Sequence, residues 1–534
     1  MSQKLVEEFS PSADGRQRIA HGVSRGSADR SLTPVPSPAE RERGAEGGVR
    51  AVPPRAYALG YSMPPLPGPQ ITRANVKDLW STTFAALLAM VLSAASLSAQ
   101  AAGPQELTLQ EAVRVALEKN PTVKASVAYE RAVHEGIAEA RAARFPRMDF
   151  SEGFTRGNNP VYVFGGLLTE RQFNASNFAL NFLNTPPPLD IFHTQFSAAL
   201  PLYDAGQTGR RIKDAKLNAQ GASEAGRRTR QEVIFGVVKA YTNELLAKES
   251  VRVAEAAVKA AQSDLERAQA RQEQGQAVPS DLLSARVHLA QTQEDLLQAK
   301  NAVDLAQAAM NVAMGLPEDA ATTIESGLKE SKLEPGALVD RQRIALANRP
   351  DYLAAGLEAE RATNGEHMAR AEFLPKLNLF SSWEEDNQTF LTRGGNNWTA
   401  GVSLNFNILD GGANHARLAA ARNRQAQAQA QLAQMAAEVK LQVREAYLNL
   451  ATAQQRIEVS RQAQSEAEES LRIIQNRYEA GLATITDLLQ VETARTSAGK
   501  NYLNALFDYR LSYAALELAT GELAPESRAV TSDK

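Results

Sequence analysis

The chain repeats itself, and the form of the repeat leaves few folds open. AEARAARFPRMDF around Pro146 matches EHMARAEFLPKLNLF around Pro375, and KNPTV at Pro121 matches NRPDY at Pro350, both at a separation of 229 residues. Further along, the separation falls to 206 and stays there for Asp204/Asp410, Gly206/Gly412, Tyr241/Tyr447, Gly275/Gly481, Asp281/Asp487 and Gly315/Gly521. Landmarks that keep one offset over more than 100 residues mark a tandem duplication, here with copies at 102–316 and 335–522. Residues 317–334 read as a linker, and 523–534 as a flexible tail. The 23-residue difference between the offsets places an insertion between Pro146 and Asp204, in a loop around 156–190 that is long in the first copy only.

Inside each copy the apolar period switches from two to that of a helix. WTAGVSLNFNI sets Trp398, Ala400, Val402, Leu404, Phe406 and Ile408 on one face and Thr399, Gly401, Ser403, Asn405 and Asn407 on the other. FHTQFSAALPL repeats this with Phe192, Thr194, Phe196, Ala198, Leu200 and Leu202. A shorter strand precedes each, with Met148, Phe150 and Phe154 sharing a face in one copy and Leu377, Leu379 and Trp383 in the other. Glu152 interrupts the apolar face of the first. Each copy therefore supplies one β-hairpin, about 147–203 and 376–409. Beyond YDAGQ and LDGGA no proline occurs from 202 to 278, 280 to 316 or 376 to 524, so long helices are permitted. Val251, Ala254, Val258, Ala261, Leu265 and Ala268, then Leu282, Ala285, Leu289, Thr292, Leu296, Ala299, Val303, Ala306, Met310 and Ala313, carry coiled-coil spacing. The coiled coils are expected over about 207–314 and 413–520, with a seam rich in Ala and Gln.

Composition narrows the function. Lys+Arg 58 against Asp+Glu 61 gives a net charge of −3, which removes the electrostatic basis for binding nucleic acid. The absence of cysteine excludes disulfide frameworks, thiol nucleophiles, iron–sulfur clusters and cysteine-anchored lipid. Six scattered histidines offer no metal-ligand spacing, and no GxSxG or HExxH motif is present, so neither an enzyme nor a cofactor is expected. Residues 1–75 are polar and proline-rich, and they read as an extension upstream of the true start, at Val76 or Met63. Residues 76–101 then read as a secretory signal: Lys77, an apolar run from Leu79 to Leu97, and a cleavage-like Ala99-Gln100-Ala101. A transmembrane anchor is the alternative for that run.

An exported chain with four strands of about ten residues, apolar on one face, fits an outer-membrane β-barrel better than a soluble sandwich. Four strands cannot close a barrel, and open edges are not tolerated in hydrocarbon. Three copies would supply twelve strands around a water-filled lumen. Two other function classes compete. A periplasmic coiled-coil adaptor would carry one helical hairpin in a biotin-like β-domain, and a secreted hydrolase would need a catalytic constellation.

RQEQGQAVPSDLL at 271–283 and RYEAGLATITDLL at 477–489 place the same Arg-x3-Gly-x5-Asp-Leu-Leu pattern in both copies. With the duplicated helix–hairpin–helix units, the chain resembles the TolC-like outer-membrane efflux proteins over nearly all of 105–522. The resemblance implies a mainly α fold with a small transmembrane β part: a homotrimer whose long antiparallel coiled-coil helices form an α-barrel in the periplasm, continuous with a twelve-stranded β-barrel in outer-membrane lipid. It implies a passive exit duct of a tripartite efflux pump or type I secretion system. Its partners would be a periplasmic adaptor protein and an inner-membrane transporter of RND, ABC or MFS type. By the same resemblance Asp487 rings the pore constriction, with Asp281 its counterpart in the first copy. Gln490 and Ser284 stand where relatives often have a second carboxylate. Tyr478 and Asp281 match a pair that hydrogen-bonds between helices to latch the tip, although Ala483 replaces the arginine that reinforces it in some relatives. Asp281 alternatively reads as a helix N-cap after Pro279-Ser280. Arg271, Gly275, Arg477, Gly481 and Leu482 form the adaptor-docking tip.

Overall fold

A computed structural model describes residues 106–324, 327–328, 330, 334–390 and 394–531. The expected extension and signal, 1–101, lie outside them. In chain order, β1 (Glu106–Leu107) leads to α1 (Leu109–Lys119) and α2 (Pro121–Ala142), then β2 (Arg147–Gly157), α3 (Pro160–Thr169), α4 (Leu180–Asn184) and β3 (Leu189–Tyr203). The first copy ends with α5 (Gln207–Glu273) and α6 (Pro279–Met314). After β4 (Thr323–Ile324), the second copy runs α7 (Leu338–Asn348), α8 (Pro350–Ala371), β5 (Lys376–Asn387), β6 (Gly395–Asn405), α9 (Ala413–Glu479) and α10 (Ile485–Thr520), followed by α11 (Arg528–Thr531).

Strand becomes helix at an aspartate and a left-handed glycine. Asp204 accepts from the backbone N–H of Gly206 at 3.0 Å and of Thr208 at 2.6 Å, with Gly206 at φ +78°. Asp410 does the same for Gly412 and Asn414, at 3.0 and 2.7 Å. The helices that follow, α5 and α9, have 67 residues each and are therefore about 100 Å long. Their shorter partners, α6 and α10, have 36 residues and end at Gly315 and Gly521. A Cβ on Gly315 would stand 2.5 Å from the Cα of Asn120, and one on Gly521 would stand 2.9 Å from the Cα of Arg349. Those are the residues before Pro121 and Pro350, so α6 abuts the start of α2 and α10 the start of α8. Each long helix is thus flanked by two shorter ones set end to end, and only glycine fits at the joint.

The main core lies around these joints. Val237, Val238 and Leu245 of α5, Val443 and Leu450 of α9, Met310 of α6 and Leu516 of α10 are buried in one shared cluster. Residues 523–531 of the expected flexible tail pack into this core: Leu523, Ala529 and Val530 are buried, and the Ala529 N–H donates to Glu517 Oε2 at 3.2 Å. Apolar residues a few positions beyond Gly521 draw the chain back into the core. Along the coiled coils the buried seam is of small residues, Ala254, Ala261, Ala268, Ala285 and Ala306.

The two hairpins join into one antiparallel sheet in the order β2-β3-β5-β6. Two strand hairpins and two coiled-coil pairs, one of each per copy, differ from the single helical hairpin expected of an adaptor. Two expectations shift in detail. Strand β6 begins at Gly395 and stops at Asn405, short of Phe406 and Ile408. The pairing of β3 with β5 slips between Pro201 and Tyr203, so that Tyr203, not Leu202, comes opposite Leu377 on the apolar face. Proline cannot donate to the ladder, and the register adjusts beside it. The inserted loop is folded too, into α3, a 3₁₀ turn at Ala175–Phe178 and α4.

Candidate functional site

Two places are candidates for the functional site: the helix-to-helix turns and the four-stranded sheet. At the first turn Gly275 has φ +72°, its N–H bonding to Gln272 O at 2.9 Å and that of Gln276 to Arg271 O at 2.8 Å. At the second, Gly481 has φ +75° and the Leu482 N–H reaches Arg477 O at 2.8 Å. Both satisfy the last helical carbonyls through a left-handed glycine. The copies diverge one step later. Thr484 caps α10, its backbone N–H and hydroxyl donating to Asp487 Oδ2 at 2.9 and 2.7 Å while its Oγ1 accepts from the Asp487 N–H at 3.2 Å. The matching residue is Val278, which cannot cap, and Pro279 opens α6 instead. Asp281 is therefore the third residue of its helix, not the N-cap.

Asp487 is exposed, and its hydrogen bonds from Thr484 hold the carboxyl below the usual aspartate range, so the side chain stays ionised. Gln490 is exposed one turn on, and Ser284 is exposed with its hydroxyl turned to Ser280 O at 3.0 Å.

The expected Tyr478–Asp281 hydrogen bond does not form within the chain. Tyr478 is turned inward, only 5% exposed, against Ile485 and Leu488. Arg271 joins it from the other coiled coil: its guanidinium carbon lies 4.8 Å from the ring centroid and its Nη1 donates to Tyr478 O at 2.6 Å. A guanidinium thus lies on the Tyr478 ring from across the tip, while Ala483 carries none. Arg477, the second-copy counterpart of Arg271, is exposed and reaches only Leu482 O of its own turn, at 3.5 Å.

Just inside the tip the two coiled coils share a buried polar cluster that sequence reasoning missed. Asp264 of α5 is fully buried and ion-paired to Arg267, whose Nη1 lies 3.7 Å from Glu479 of α9. Glu492 of α10 is buried beside it, 3.5 Å from His288 Nε2 of α6. Burial, followed by the hydrogen bond to Glu492, pushes the Asp264 carboxyl up to about 7, against the pull of Arg267. Burial also raises Glu492, but His288 and Asp264 draw it below its ordinary value. Asp264 Oδ2 is buried with no hydrogen-bond partner among the described residues, which adds to the upward pull of burial on its carboxyl.

At the sheet, register aligns Phe150, Phe196, Trp383 and Trp398 in one row across all four strands. Neighbouring ring centroids are 5.0 Å apart for Phe150–Phe196 and 5.8 Å for Phe196–Trp383. One row farther from the helices stand Glu152, Thr194, Glu385 and Asn396. Glu152 is therefore not a lone flaw; it belongs to a polar row that crosses the apolar face, with Phe154 and Phe192 beyond it. Toward the helices the same face carries Met148, Val402 and Leu404, all well exposed. From Trp398 to Leu404 the strand climbs about 20 Å, which fits within the apolar band of about 25 Å of an outer-membrane barrel.

The family model described as outer membrane efflux protein matches residues 112–316 and 343–522. The alkaline protease secretion protein AprF of Pseudomonas aeruginosa is 24% identical over 434 residues, covering 78% of this chain and 85% of its own. The outer membrane protein TolC of Escherichia coli is 24% identical over 450 residues, covering 81% and 86%. Among solved structures, CusC superposes with a TM-score of 0.67 at 17% identity over 78% of this chain and 93% of its own. The outer membrane protein VceC of Vibrio cholerae gives 0.64 at 20% over 77% and 96%. With both copies matched, and with the duplicated coiled coils and the lipid-matched sheet in place, the chain belongs to the outer membrane efflux protein family.

Proposed function

We propose that three copies of the chain close into one duct through the outer membrane, a passive conduit gated at its periplasmic tip. The observation that carries this reading is the sheet: among the described residues β2 and β6 each pair on one side only, while the face they share is largely apolar. Such edges need partners in lipid, and a second and third copy offer the same edges in turn. At the other end, Asp487 from each chain would stand around the axis as an ionised ring that attracts cations and resists anions. Gln490 and Ser284 add no second ring. Arg271 on Tyr478 holds one coiled coil against the other and keeps the tip closed.

Leu482 and Val278 are exposed beside Gly481 and Gly275, and with Arg477 they offer a mixed apolar and basic surface for a periplasmic adaptor, below which an inner-membrane transporter would select the cargo. Two similar proteins, AprF and the proteases secretion protein PrtF of Dickeya chrysanthemi, are named for protease secretion, which supports polypeptide export as the setting. The inside–outside assignment is tested by two neighbouring substitutions. Val402→Arg puts charge on the lipid face and should cost about 2–4 kcal/mol of insertion near the midplane. Ser403→Arg points to the lumen and should assemble normally with altered conductance. Equal loss of insertion for both would overturn the assignment.

A further inference from the structure

The two hairpins end in unequal turns. The second closes over 388–394, while the first needs 158–188 and folds them into α3, the 3₁₀ turn and α4. Strand parity fixes the side on which this segment lies. Phe192 and Phe196 share the lipid face with Phe150 and Phe154, so Leu189 and Ile191 belong to the opposite, water-lining face. Those are the residues that α3 covers: Val163 and Leu167 bury with Leu189 and Ile191 in a small core of their own. A Cβ on Gly166 would come within 2.5 Å of Ile191 Cδ1 and 2.7 Å of Leu189 Cδ2, so the helix is seated directly on the strand.

The segment is also tied to the other hairpin. Arg171 Nη2 donates to Asn396 O at 2.6 Å, Gln388 Nε2 to Glu170 Oε2 at 2.9 Å and Asn397 Nδ2 to Thr169 O at 3.4 Å. Gly395 passes so close to Thr169 O that no side chain could stand there. Yet this fixed element leaves apolar groups uncovered. Val161 is 82% exposed, Leu180 77% and Phe178 64%, the last as part of an edge-to-face group with Phe164 and Phe173. Apolar side chains held in place and left open mark a contact surface.

We infer that the segment 158–188 is a second gate, at the outer mouth, where three copies converge and cover one another's exposed apolar side chains. This rests on the trimeric duct proposed above. An element fixed to the inner face of one third of a barrel recurs three times around the axis, so the open apolar side chains of one copy face those of the other two. The duct then has a narrow point at each end, acidic at the tip and apolar at the exit.

The absence of cysteine makes the test direct. Leu180→Cys and Val161→Cys, oxidised in detergent-solubilised protein, should give disulfide-linked dimers of chains within an intact trimer. Separately, Ser403→Cys reports access to the lumen from outside. A small maleimide should label it, and a polymer-linked maleimide should not. Replacing 158–188 by the short turn of the second copy should admit the polymer as well. A trimer with no cross-link at either position, and equal polymer labelling with and without the segment, overturns the outer gate alone. A monomer, or a Ser403→Cys that even the small maleimide never reaches, overturns the duct and the gate with it.

Discussion

Removing the Arg271 guanidinium should open the tip, and removing the Tyr478 hydroxyl should not. Arg271 contributes a charged hydrogen bond to the Tyr478 backbone carbonyl at 2.6 Å, of a kind worth about 1.5–3 kcal/mol. Its stacking on the ring at 4.8 Å adds about 0.5–1 kcal/mol. Taking about 2 kcal/mol as the lower end for Arg271→Ala, a single chain's loss shifts the balance between docked and separated coiled coils roughly thirtyfold. Tyr478→Phe keeps the carbonyl, the ring and its burial against Ile485 and Leu488, and loses a hydroxyl that bonds nothing at Asp281. Purified protein in planar bilayers reads both: the open fraction of single channels should rise steeply for Arg271→Ala and stay at the parent level for Tyr478→Phe. Arg271→Lys, with charge but no planar fork, should fall between. If Tyr478→Phe opens the channel and Arg271→Ala does not, the latch runs through the hydroxyl and the reasoning fails.

Asp487→Asn removes three ionised groups from one narrow ring and should weaken cation preference and block by multivalent cations; unchanged selectivity and block would place the constriction elsewhere. Asp264 makes the tip sensitive to pH. Its carboxyl titrates near 7 when buried and near 4 when released, so the packed state holds the extra proton and the tip contacts weaken as pH rises from about 4 to about 7. Limited proteolysis of the tip should therefore become faster over that range, whereas Asp264→Asn, which keeps a donor for Glu492 beside Arg267, His288 and Glu479, should flatten the dependence. An equal slope in both proteins would remove Asp264 as its source.

What could be read in the sequence was what neighbouring residues decide among themselves. The hairpins show as strict alternation, the long helices as stretches without proline, and the turns as glycines repeated at 206 residues. What stayed hidden depends on groups far apart in the chain. Arg271 and Tyr478 are 207 positions apart, and nothing local links them. The trace that was present is a partial asymmetry: Tyr478 has Gln272 as its copy-one counterpart, whereas Arg271 and Arg477 are the same residue in both copies. The heptad assignment put Leu265 in the seam, but the fully buried neighbour is Asp264, because Glu492 and Arg267 offer it partners that an apolar pattern does not register. The tail looked polar enough to be free, yet Leu523, Ala529 and Val530 suffice to pack it. Glu152 looked like a lone blemish until register set it beside Thr194 and Glu385 in a polar row across the apolar face.

The central claim is that the sheet closes only among three chains. Mass measurement of the detergent-solubilised protein, by light scattering with the detergent contribution subtracted, addresses it directly. A single species of three chains, obtained only when detergent is present during extraction, is the expected result. A monodisperse single chain, or release into buffer without detergent, would contradict it, because the β2 and β6 edges and the apolar face between them would then be satisfied without partners and without lipid.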